Sequence, residues 1–197
     1  MQAAHNIETL SVAEYLEGEL ISTVRHEFID GYVYAMSGAK KNHQRIAINL
    51  TTEFVNHLEH SACEPFTSDM KVRVGDNFFY PDAMVACPDR RDDDYYINGP
   101  VIIVEILSPS TRHRDQTFKR DQYLSIPSLQ EYVLIEQDVV DVEVIRRNDH
   151  WRSSHYFMGD QVTLDSIDLS VSVETIYRRV QNADVTDYLT EQTELQT

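Results

Sequence analysis

The sequence predicts a single α/β domain that opens with a helix and a β-hairpin, and three observations support this class. Extended apolar segments alternate with segments of helical periodicity, which is the pattern of a mixed sheet flanked by helices. The length of 197 residues, with 42% hydrophobic and 25% charged residues, suits one ordinary globular domain. No internal repeat or low-complexity linker divides the sequence. We therefore expect one domain over residues 1–182 and a polar C-terminal tail over residues 183–197.

The N-terminal third predicts a helix, a hairpin and a second helix. Ser11 precedes Glu14 at the spacing of a capping box, so a short helix should begin there. The alternating segment 26–38 contains an Asp-Gly step, which is a strong signal for a tight hairpin turn. Residues 42–60 carry apolar side chains at steps of four, which predicts an amphipathic helix capped by Asn42.

The rest of the chain predicts mainly strands. Apolar runs rich in β-branched and aromatic residues indicate strands over 71–74, 79–87, 101–107, 131–137, 139–147 and 151–157. A helix over residues 112–125 should end before Pro127, because the residue preceding a proline disfavours helical geometry. Ser172 is expected to cap a short helix within 170–181. The polar segment 88–100, bounded by proline and glycine, should form a surface loop.

The cysteines and the N-terminus bear on the compartment. Cys63 and Cys87 are isolated and form no CxxC pair, so they indicate neither a disulfide scaffold nor a zinc site. This usage fits a reducing compartment. The N-terminus lacks the basic and apolar regions of a secretory signal, and no apolar run reaches the roughly 18 residues that span a bilayer. We therefore expect a cytoplasmic protein without a membrane segment.

The net charge of −16 limits the partners. Non-specific binding of nucleic acids depends on Lys and Arg side chains that neutralise phosphates, so this composition argues against a general attraction to DNA or RNA. Positive charge is nevertheless concentrated locally, at residues 40–45 and 112–120. A nucleic-acid partner therefore requires a local basic patch.

Two carboxylates interrupt the apolar strands of the predicted sheet. Glu105 lies within the run VIIVEILS, and burial of an unpaired ionised group costs several kcal/mol or more. Asp82 follows Pro81 in the preceding strand. If the two strands are neighbours, the carboxylates converge and repel each other. A divalent cation such as Mg²⁺ or Mn²⁺, which prefers oxygen ligands, would remove that penalty.

The helix that follows supplies a lysine. Asp115, Lys119 and Tyr123 recur at steps of four and therefore share one helical face. Lys119 should lie roughly 10 Å along the helix axis, at a rise of 1.5 Å per residue, which leaves Glu105 within reach of its side chain. Two carboxylates that hold a metal beside a lysine near the attacking water form the arrangement of metal-dependent phosphodiester hydrolysis.

In these residues the chain resembles the PD-(D/E)XK nuclease superfamily, which has the restriction-endonuclease-like fold. The resemblance covers roughly residues 8–180, in the segments HEFIDGYVYAMSG, NHQRIAINL, YPDAMV, VIIVEILSPST and IPSLQEYVLI. The superfamily motif places its lysine two residues after the acid, where this chain has Leu107. The chain is most similar to a branch in which the lysine lies on the following helix, at Lys119.

The resemblance implies a role for each site residue and a class of substrate. It implies Asp82, Glu105 and the backbone carbonyl of Ile106 as ligands of Mg²⁺ or Mn²⁺, and Lys119 as the group that positions or activates water. The surrounding residues that it implies are Glu27 as an additional acid, and His43, Asp115 and Ser108 around the metal ligands. DNA is the implied substrate and a homodimer is plausible, since double-strand cleavage by this fold often needs two sites.

Other interpretations stay open at this point. Glu105 could form a structural ion pair with Arg112, Asp115 could only pair with Lys119, and Glu27 and His43 could be surface or capping residues. The whole chain could be a binding or regulatory module that has kept the nuclease fold without catalysis. A hydrolase that uses Asp82 and Glu105 as an acid/base pair without metal is a third possibility.

Overall fold

The computed structural model describes residues 9–194, which form a mixed α/β fold. Its helices are α1 (Val12–Ile21), α2 (Lys41–Leu58), α3 (Arg112–Arg114), α4 (Arg120–Leu124), α5 (Val173–Ile176) and α6 (Ala183–Glu194). A π-helical turn, Asp115–Lys119, joins α3 to α4. The strands are β1 (His26–Ile29), β2 (Tyr32–Ala35), β3 (Glu64–Thr67), β4 (Lys71–Val74), β5 (Asn77–Phe79), β6 (Ala83–Ala86), β7 (Tyr96–Ile97), β8 (Pro100–Leu107), β9 (Glu131–Glu136), β10 (Val142–Arg146), β11 (Arg152–Tyr156), β12 (Gln161–Leu164) and β13 (Leu169–Ser172).

The strands form two large mixed sheets and a small hairpin. The six-stranded sheet has the order β11-β10-β9-β8-β6-β3, in which β8 and β9 run parallel and the other neighbours run antiparallel. The five-stranded sheet has the order β2-β1-β5-β4-β7. Strands β12 and β13 pair with each other. The predicted α/β class with a mixed sheet flanked by helices is therefore confirmed.

Strand β8 lies at the centre of the molecule, with a hydrophobic core on each face. One core contains Ile102, Val104 and Ile106 together with the apolar face of α2. The other core contains Ile103 and Leu107 and is covered by the segment around α4. Both faces of β8 are buried, so its alternating side chains read as one continuous apolar run.

Two local signals of the N-terminal third, the capping box and the hairpin turn, are confirmed. The side chains and backbones of Ser11 and Glu14 form both hydrogen bonds of a capping box at the start of α1. Asp30 and Gly31 make the turn between β1 and β2 with φ angles of 50° and 87°. Two successive positive φ angles match the twist of antiparallel strands, which is why an Asp-Gly step predicts a hairpin.

Several elements differ from the sequence-based expectation. The helix expected over 112–125 contains the π-helical turn between α3 and α4, and the loop expected over 88–100 contains β7. Asn42 does not cap α2, because the cap position is Lys40 and Asn42 donates its side-chain amide to the carbonyl of Gln181 instead. The strand expected over 79–87 is divided around Pro81, which lacks an N–H for the ladder. Ser172 does cap α5, but the residues before it form β13 rather than helix.

The cysteines require a correction. Cys63 and Cys87 are joined by a disulfide, since the register that pairs Glu64 with Ala86 places them at adjacent ends of β3 and β6. Within the segment 183–197 that is expected to be a polar tail, residues 183–194 form the helix α6, and the side chain of Val185 is buried there. Residues 195–197 lie outside the described part of the chain. No helix within residues 9–194 is long and apolar enough to cross a membrane.

Candidate active site

Asp82 and Glu105 lie side by side at the ends of two neighbouring strands. The antiparallel register pairs Ala83 of β6 with Val104 of β8, so Asp82 stands opposite Glu105 one residue further along. The Asp82 Oδ2 atom accepts a hydrogen bond from the backbone N–H of Ile106 at 2.7 Å. The structure therefore brings together the two carboxylates and the backbone of Ile106, as the strand order predicted.

Lys119 joins the carboxylates of three elements. Its Nζ atom lies 2.8 Å from Glu27 Oε1, 3.0 Å from Glu105 Oε1 and 3.4 Å from Asp115 Oδ1. All four side chains are buried, with 6% of Lys119 and 3% of Glu105 exposed. The structure thus places Glu27 and Asp115 in the same cluster as Glu105.

The π-helical turn determines how the following helix faces the sheet. Asp115 and Lys119 are the first and last residues of this turn and both are buried, while Gln116 and Thr117 between them are exposed. The Tyr132 hydroxyl donates to the Asp115 carbonyl at 3.0 Å and holds the turn against β9. Single π-helical turns inside α-helices occur frequently at functional sites.

Two further side chains complete the cluster. The Tyr123 hydroxyl donates to Glu105 Oε1 at 2.8 Å, so the face shared by Asp115, Lys119 and Tyr123 points at the glutamate. Arg114 Nη2 lies 3.0 Å from Glu27 Oε2. Arg114 is absent from the predicted site residues, because its contact with Glu27 depends on how the hairpin packs beside the helix.

Burial and mutual repulsion shift the titration of this cluster. Burial raises the pKa of the Glu105 carboxyl well above its usual range, and the charges of Asp115, Asp82 and Glu27 raise it further, against the opposing effect of Lys119. Burial likewise raises the pKa of Asp115. Burial alone would lower the pKa of the Lys119 ammonium, but the surrounding carboxylates outweigh it and raise that pKa. Lys119 is therefore a charged donor in this state.

The donor atoms of Asp82 and Glu105 suit a small divalent cation. Asp82 Oδ2 contacts Ile106 N–H and, at 3.1 Å, His43 Nε2, while Glu105 Oε1 contacts Lys119 and Tyr123. Asp82 Oδ1 and Glu105 Oε2 receive no hydrogen bond from residues 9–194, and both side chains line the cleft. Mg²⁺ is commonly held by one or two carboxylates together with substrate phosphates and water.

The protein ligands alone do not make a closed metal cage. Within the described residues, no group of three His, Cys, Asp or Glu side chains has an arrangement that would hold a metal ion. A cation between Asp82 and Glu105 would need further oxygen ligands, such as the Ile106 carbonyl, water or phosphate. The residues therefore fit an open site rather than a structural one.

The remaining predicted residues lie around this site. His43, in the first turn of α2, contacts Asp82, and its buried Nδ1 atom has no partner among the described residues. Ser108 lines the cleft and accepts a hydrogen bond from the Thr111 N–H. The alternative pairing of Glu105 with Arg112 is wrong, because Arg112 pairs with Glu136.

A cleft with a volume of about 800 Å³ opens above the carboxylates. Its lining includes Tyr34, Lys40 and Arg114, and the Arg114 guanidinium lies over the Tyr34 ring at 4.9 Å from its centroid. Gln137, which sequence reasoning missed, also lines it. The buried Gln137 amide donates to the Leu107 carbonyl at 2.9 Å, and its Oε1 atom has no hydrogen-bond partner within residues 9–194. Leu107 itself, at the position of the superfamily lysine, packs in the core.

A mixed sheet with two carboxylates on neighbouring strands and a lysine on the following helical turn defines the restriction-endonuclease-like class. The model of the Uma2 family, described as "Putative restriction endonuclease", matches residues 12–174. The chain belongs to the Uma2 family. The resemblance predicted from the motifs is confirmed by this match, and the family description supports a nuclease.

Two relatives and one solved structure are similar to this chain. The "Uncharacterized protein slr1290" of Synechocystis sp. is 39% identical over 174 residues, which are 86% of this chain and 92% of that protein. The "Uncharacterized protein sll1609" of the same organism is 34% identical over 148 residues, 73% and 84% of the two chains. The crystal structure of "a putative nuclease belonging to DUF820" from Anabaena variabilis superposes with a TM-score of 0.70 at 19% identity, over 87% of this chain and 99% of that one, and shows the shared fold.

Proposed function

We propose that this protein is a metal-dependent endonuclease that hydrolyses phosphodiester bonds in DNA. The observation that carries the proposal is the adjacent pair of carboxylates, which line the cleft and each keep one oxygen that accepts no hydrogen bond from residues 9–194. Asp82, Glu105 and the Ile106 carbonyl would hold Mg²⁺ or Mn²⁺. When bound, such a cation polarises a phosphate and lowers the pKa of a coordinated water.

The residues of the chain orient the reaction around this pair. The Lys119 ammonium, held among three carboxylates, is the charged donor that would position the attacking water and offset negative charge on the phosphate. Tyr123 fixes the Oε1 atom of Glu105, and His43 together with the Ile106 N–H fixes the Oδ2 atom of Asp82. Glu27 keeps Lys119 in place from the hairpin and would be the additional acid of the site.

A homodimer is part of the same proposal. Cleavage of both strands of a duplex requires two sites, and each chain carries one cleft. Two copies facing one duplex would supply the second site. Analytical ultracentrifugation with and without duplex DNA would measure whether two copies assemble.

A catalytically inactive binding module is the competing function. The full pairing of Lys119 with carboxylates and the apolar Leu107 at the superfamily lysine position favour it. The two proposals differ in whether the wild-type protein cleaves DNA.

Cleavage of supercoiled plasmid DNA in Mn²⁺ tests the proposed enzyme. We expect the wild type to nick or linearise the plasmid, EDTA to stop the reaction, and Glu105→Gln to abolish it. Glu191→Gln is the matched control, because Glu191 is exposed on α6 and distant in sequence from every site residue. Cleavage that persists in EDTA would support the metal-independent hydrolase, and no cleavage by any variant would support the module.

A further inference from the structure

The strand and helix that border the cleft form a long segment without acidic residues. No Asp or Glu occurs between Asp30 and Glu53, although the chain contains 33 acidic residues. The same segment carries Lys40, Lys41 and Arg45 at the N-terminal end of α2. Lys40 lines the cleft itself. Positive charge therefore lies beside the candidate active site in a strongly acidic protein.

A second basic segment is attached to the same helix from far along the chain. Asn42 exchanges two hydrogen bonds with the backbone of Gln181, at 2.8 and 3.1 Å. About two turns further along α2, at 3.6 residues per turn, Asn49 donates to the carbonyls of Ile176 and Arg178 at 2.9 and 2.8 Å. Arg45 lies on the helix between these two asparagines, so the turn 177–181 runs alongside it.

This turn presents two arginines to solvent. Tyr177 and Val180 are buried, whereas Arg178 and Arg179 are exposed. Arg179 has a φ of 66°, a left-handed backbone conformation that favours glycine or asparagine over a long side chain. Together with the three cations of α2, these arginines form a surface that we call the basic patch (Lys40, Lys41, Arg45, Arg178, Arg179).

The side chains of the basic patch have no acidic partners. None of the five forms an ion pair within residues 9–194, whereas Arg114, Lys119 and Arg146 all pair with carboxylates. The acidic residues that flank the turn are engaged elsewhere. Glu174 accepts from the Gly159 N–H and Asp184 accepts from the Val140 N–H. Lys40, Lys41, Arg178 and Arg179 are exposed, whereas Arg45 is half-buried and donates a hydrogen bond to Asn42 Oδ1. Cations without an acidic partner leave their charge available to an anionic partner.

We infer that the basic patch binds the sugar-phosphate backbone of duplex DNA and guides it into the cleft. The inference rests on the proposed nuclease function, because it assigns the patch to the substrate of that site. The carboxylates at the base of the cleft repel the polyanionic DNA, so the attraction for DNA has to come from residues beside the cleft. Lys and Arg side chains that neutralise phosphates supply it without reading sequence. The patch and the cleft share Lys40, which makes the two surfaces continuous.

The salt dependence of DNA binding tests this surface directly. The patch variant carries Lys41→Gln and Arg178→Gln, two exposed positions without ion pairs. The control variant carries Arg90→Gln and Arg152→Gln, which make the same charge change at exposed positions outside the patch. Fluorescence anisotropy of a labelled DNA duplex is measured in Ca²⁺ at several salt concentrations, and a gel verifies that the duplex stays intact.

We expect the patch variant to bind more weakly and the slope of log K against log salt to fall by about 2, since each lost phosphate contact removes about one unit. The control variant should keep the wild-type slope. Equal slopes in the wild type and the patch variant, an equal loss in both variants, or no DNA binding by the wild type would overturn the inference. Tighter binding of duplex RNA of the same sequence would likewise reassign the patch.

Plasmid cleavage in Mn²⁺ separates this inference from the proposed function. If the patch variant lowers the salt slope of DNA binding but the wild type does not cleave the plasmid, the DNA-binding surface is supported and the endonuclease is contradicted. If the wild type cleaves the plasmid but the patch variant binds DNA as well as the wild type does, the endonuclease is supported and the DNA-binding surface is contradicted.

Discussion

Lys119 Nζ lies 3.0 Å from Glu105 Oε1, although the lysine belongs to a helical turn and the glutamate to the central strand of the sheet. The superfamily motif places both groups on one strand, two residues apart. Here Leu107 occupies the second position and packs in the core. The helical turn after the strand places Lys119 beside the same carboxylate. A lysine therefore pairs with the strand glutamate here as well, although it lies at a different position in the sequence.

Replacing this lysine should separate binding from turnover. Lys119→Gln removes the charged donor but leaves Asp82 and Glu105, so DNA cleavage should be lost while Mn²⁺ binding remains. Because three carboxylates lose their buried partner, the free energy of unfolding should fall by about 3–5 kcal/mol. Plasmid cleavage, calorimetric metal titration and urea unfolding measure the three effects. Unchanged cleavage by the folded variant would remove Lys119 from the mechanism.

Metal should stabilise the protein through Asp82. A cation at 100 times its Kd adds about 2.7 kcal/mol to the free energy of unfolding. For a chain of this length each kcal/mol shifts Tm by roughly 2–4 °C, so Tm should rise by about 5–10 °C. Asp82→Asn should remove the rise, whereas Asp187→Asn on the exposed side of α6 should keep it. An equal rise in both variants would place the metal elsewhere.

The pH dependence of stability should reveal the raised pKa of the buried Glu105 carboxyl. Burial raises the folded-state pKa of Glu105 above its ordinary value of 4.5. Below about pH 4.5 the Glu105 carboxyl is protonated in both the folded and the unfolded state. As pH rises from there toward the folded-state pKa, only the folded state keeps the proton, so the free energy of unfolding falls. In EDTA, Glu105→Gln should therefore lose less stability than the wild type as pH rises above about 4.5. Urea unfolding across pH measures this, and parallel curves for the two proteins would contradict it.

Tyr123 should tune metal affinity without entering the reaction. Its hydroxyl donates to Glu105 Oε1, and its ring packs edge-on against Phe79 at 5.4 Å. Tyr123→Phe removes the hydrogen bond and keeps the packing. We expect Mn²⁺ affinity to fall by roughly tenfold or more, the usual effect of losing a group that orients a metal ligand. Calorimetric titration measures it, and an unchanged Kd would show that Glu105 needs no such support.

The disulfide should contribute measurably to stability. It closes a loop over a sequence separation of 24 residues, and the entropy that this cross-link removes from the unfolded chain predicts a stabilisation of about 3.5 kcal/mol. Cys63→Ser with Cys87→Ser should lower the free energy of unfolding by this amount in non-reducing buffer. The same change should be absent when both proteins are measured with a thiol reductant. Titration of free thiols in the unfolded wild type checks that the bond is present.

Local sequence signals predicted much of the fold. The capping box of Ser11 and Glu14 and the Asp30-Gly31 turn depend on residues a few positions apart, so their chemistry is visible in the sequence. Asn42 has the chemistry of a cap, but its partner is Gln181, a contact that only tertiary packing creates. Cys63 and Cys87 become neighbours through strand pairing, which their spacing does not reveal.

The site was predictable where strand order determines it. The sequence predicts that Asp82 and Glu105 converge if their strands are neighbours, and β6 does pair with β8. The helical spacing of Asp115 and Lys119 predicts their shared face. Arg114 and Gln137 were missed for another reason. Their roles depend on contacts with a separate hairpin and with a strand end, and neither residue type is unusual in its segment.

A calorimetric titration of Mn²⁺ into the wild type and Glu105→Gln decides whether Glu105 is a metal ligand. We expect binding to the wild type and an affinity weakened by about tenfold or more in the variant, as for loss of a group at a metal site. Glu191→Gln should bind like the wild type. Absence of binding in the wild type, or equal binding to wild type and Glu105→Gln, would mean that the central strand carries its glutamate as a structural partner of Lys119, and the proposed enzyme would fail.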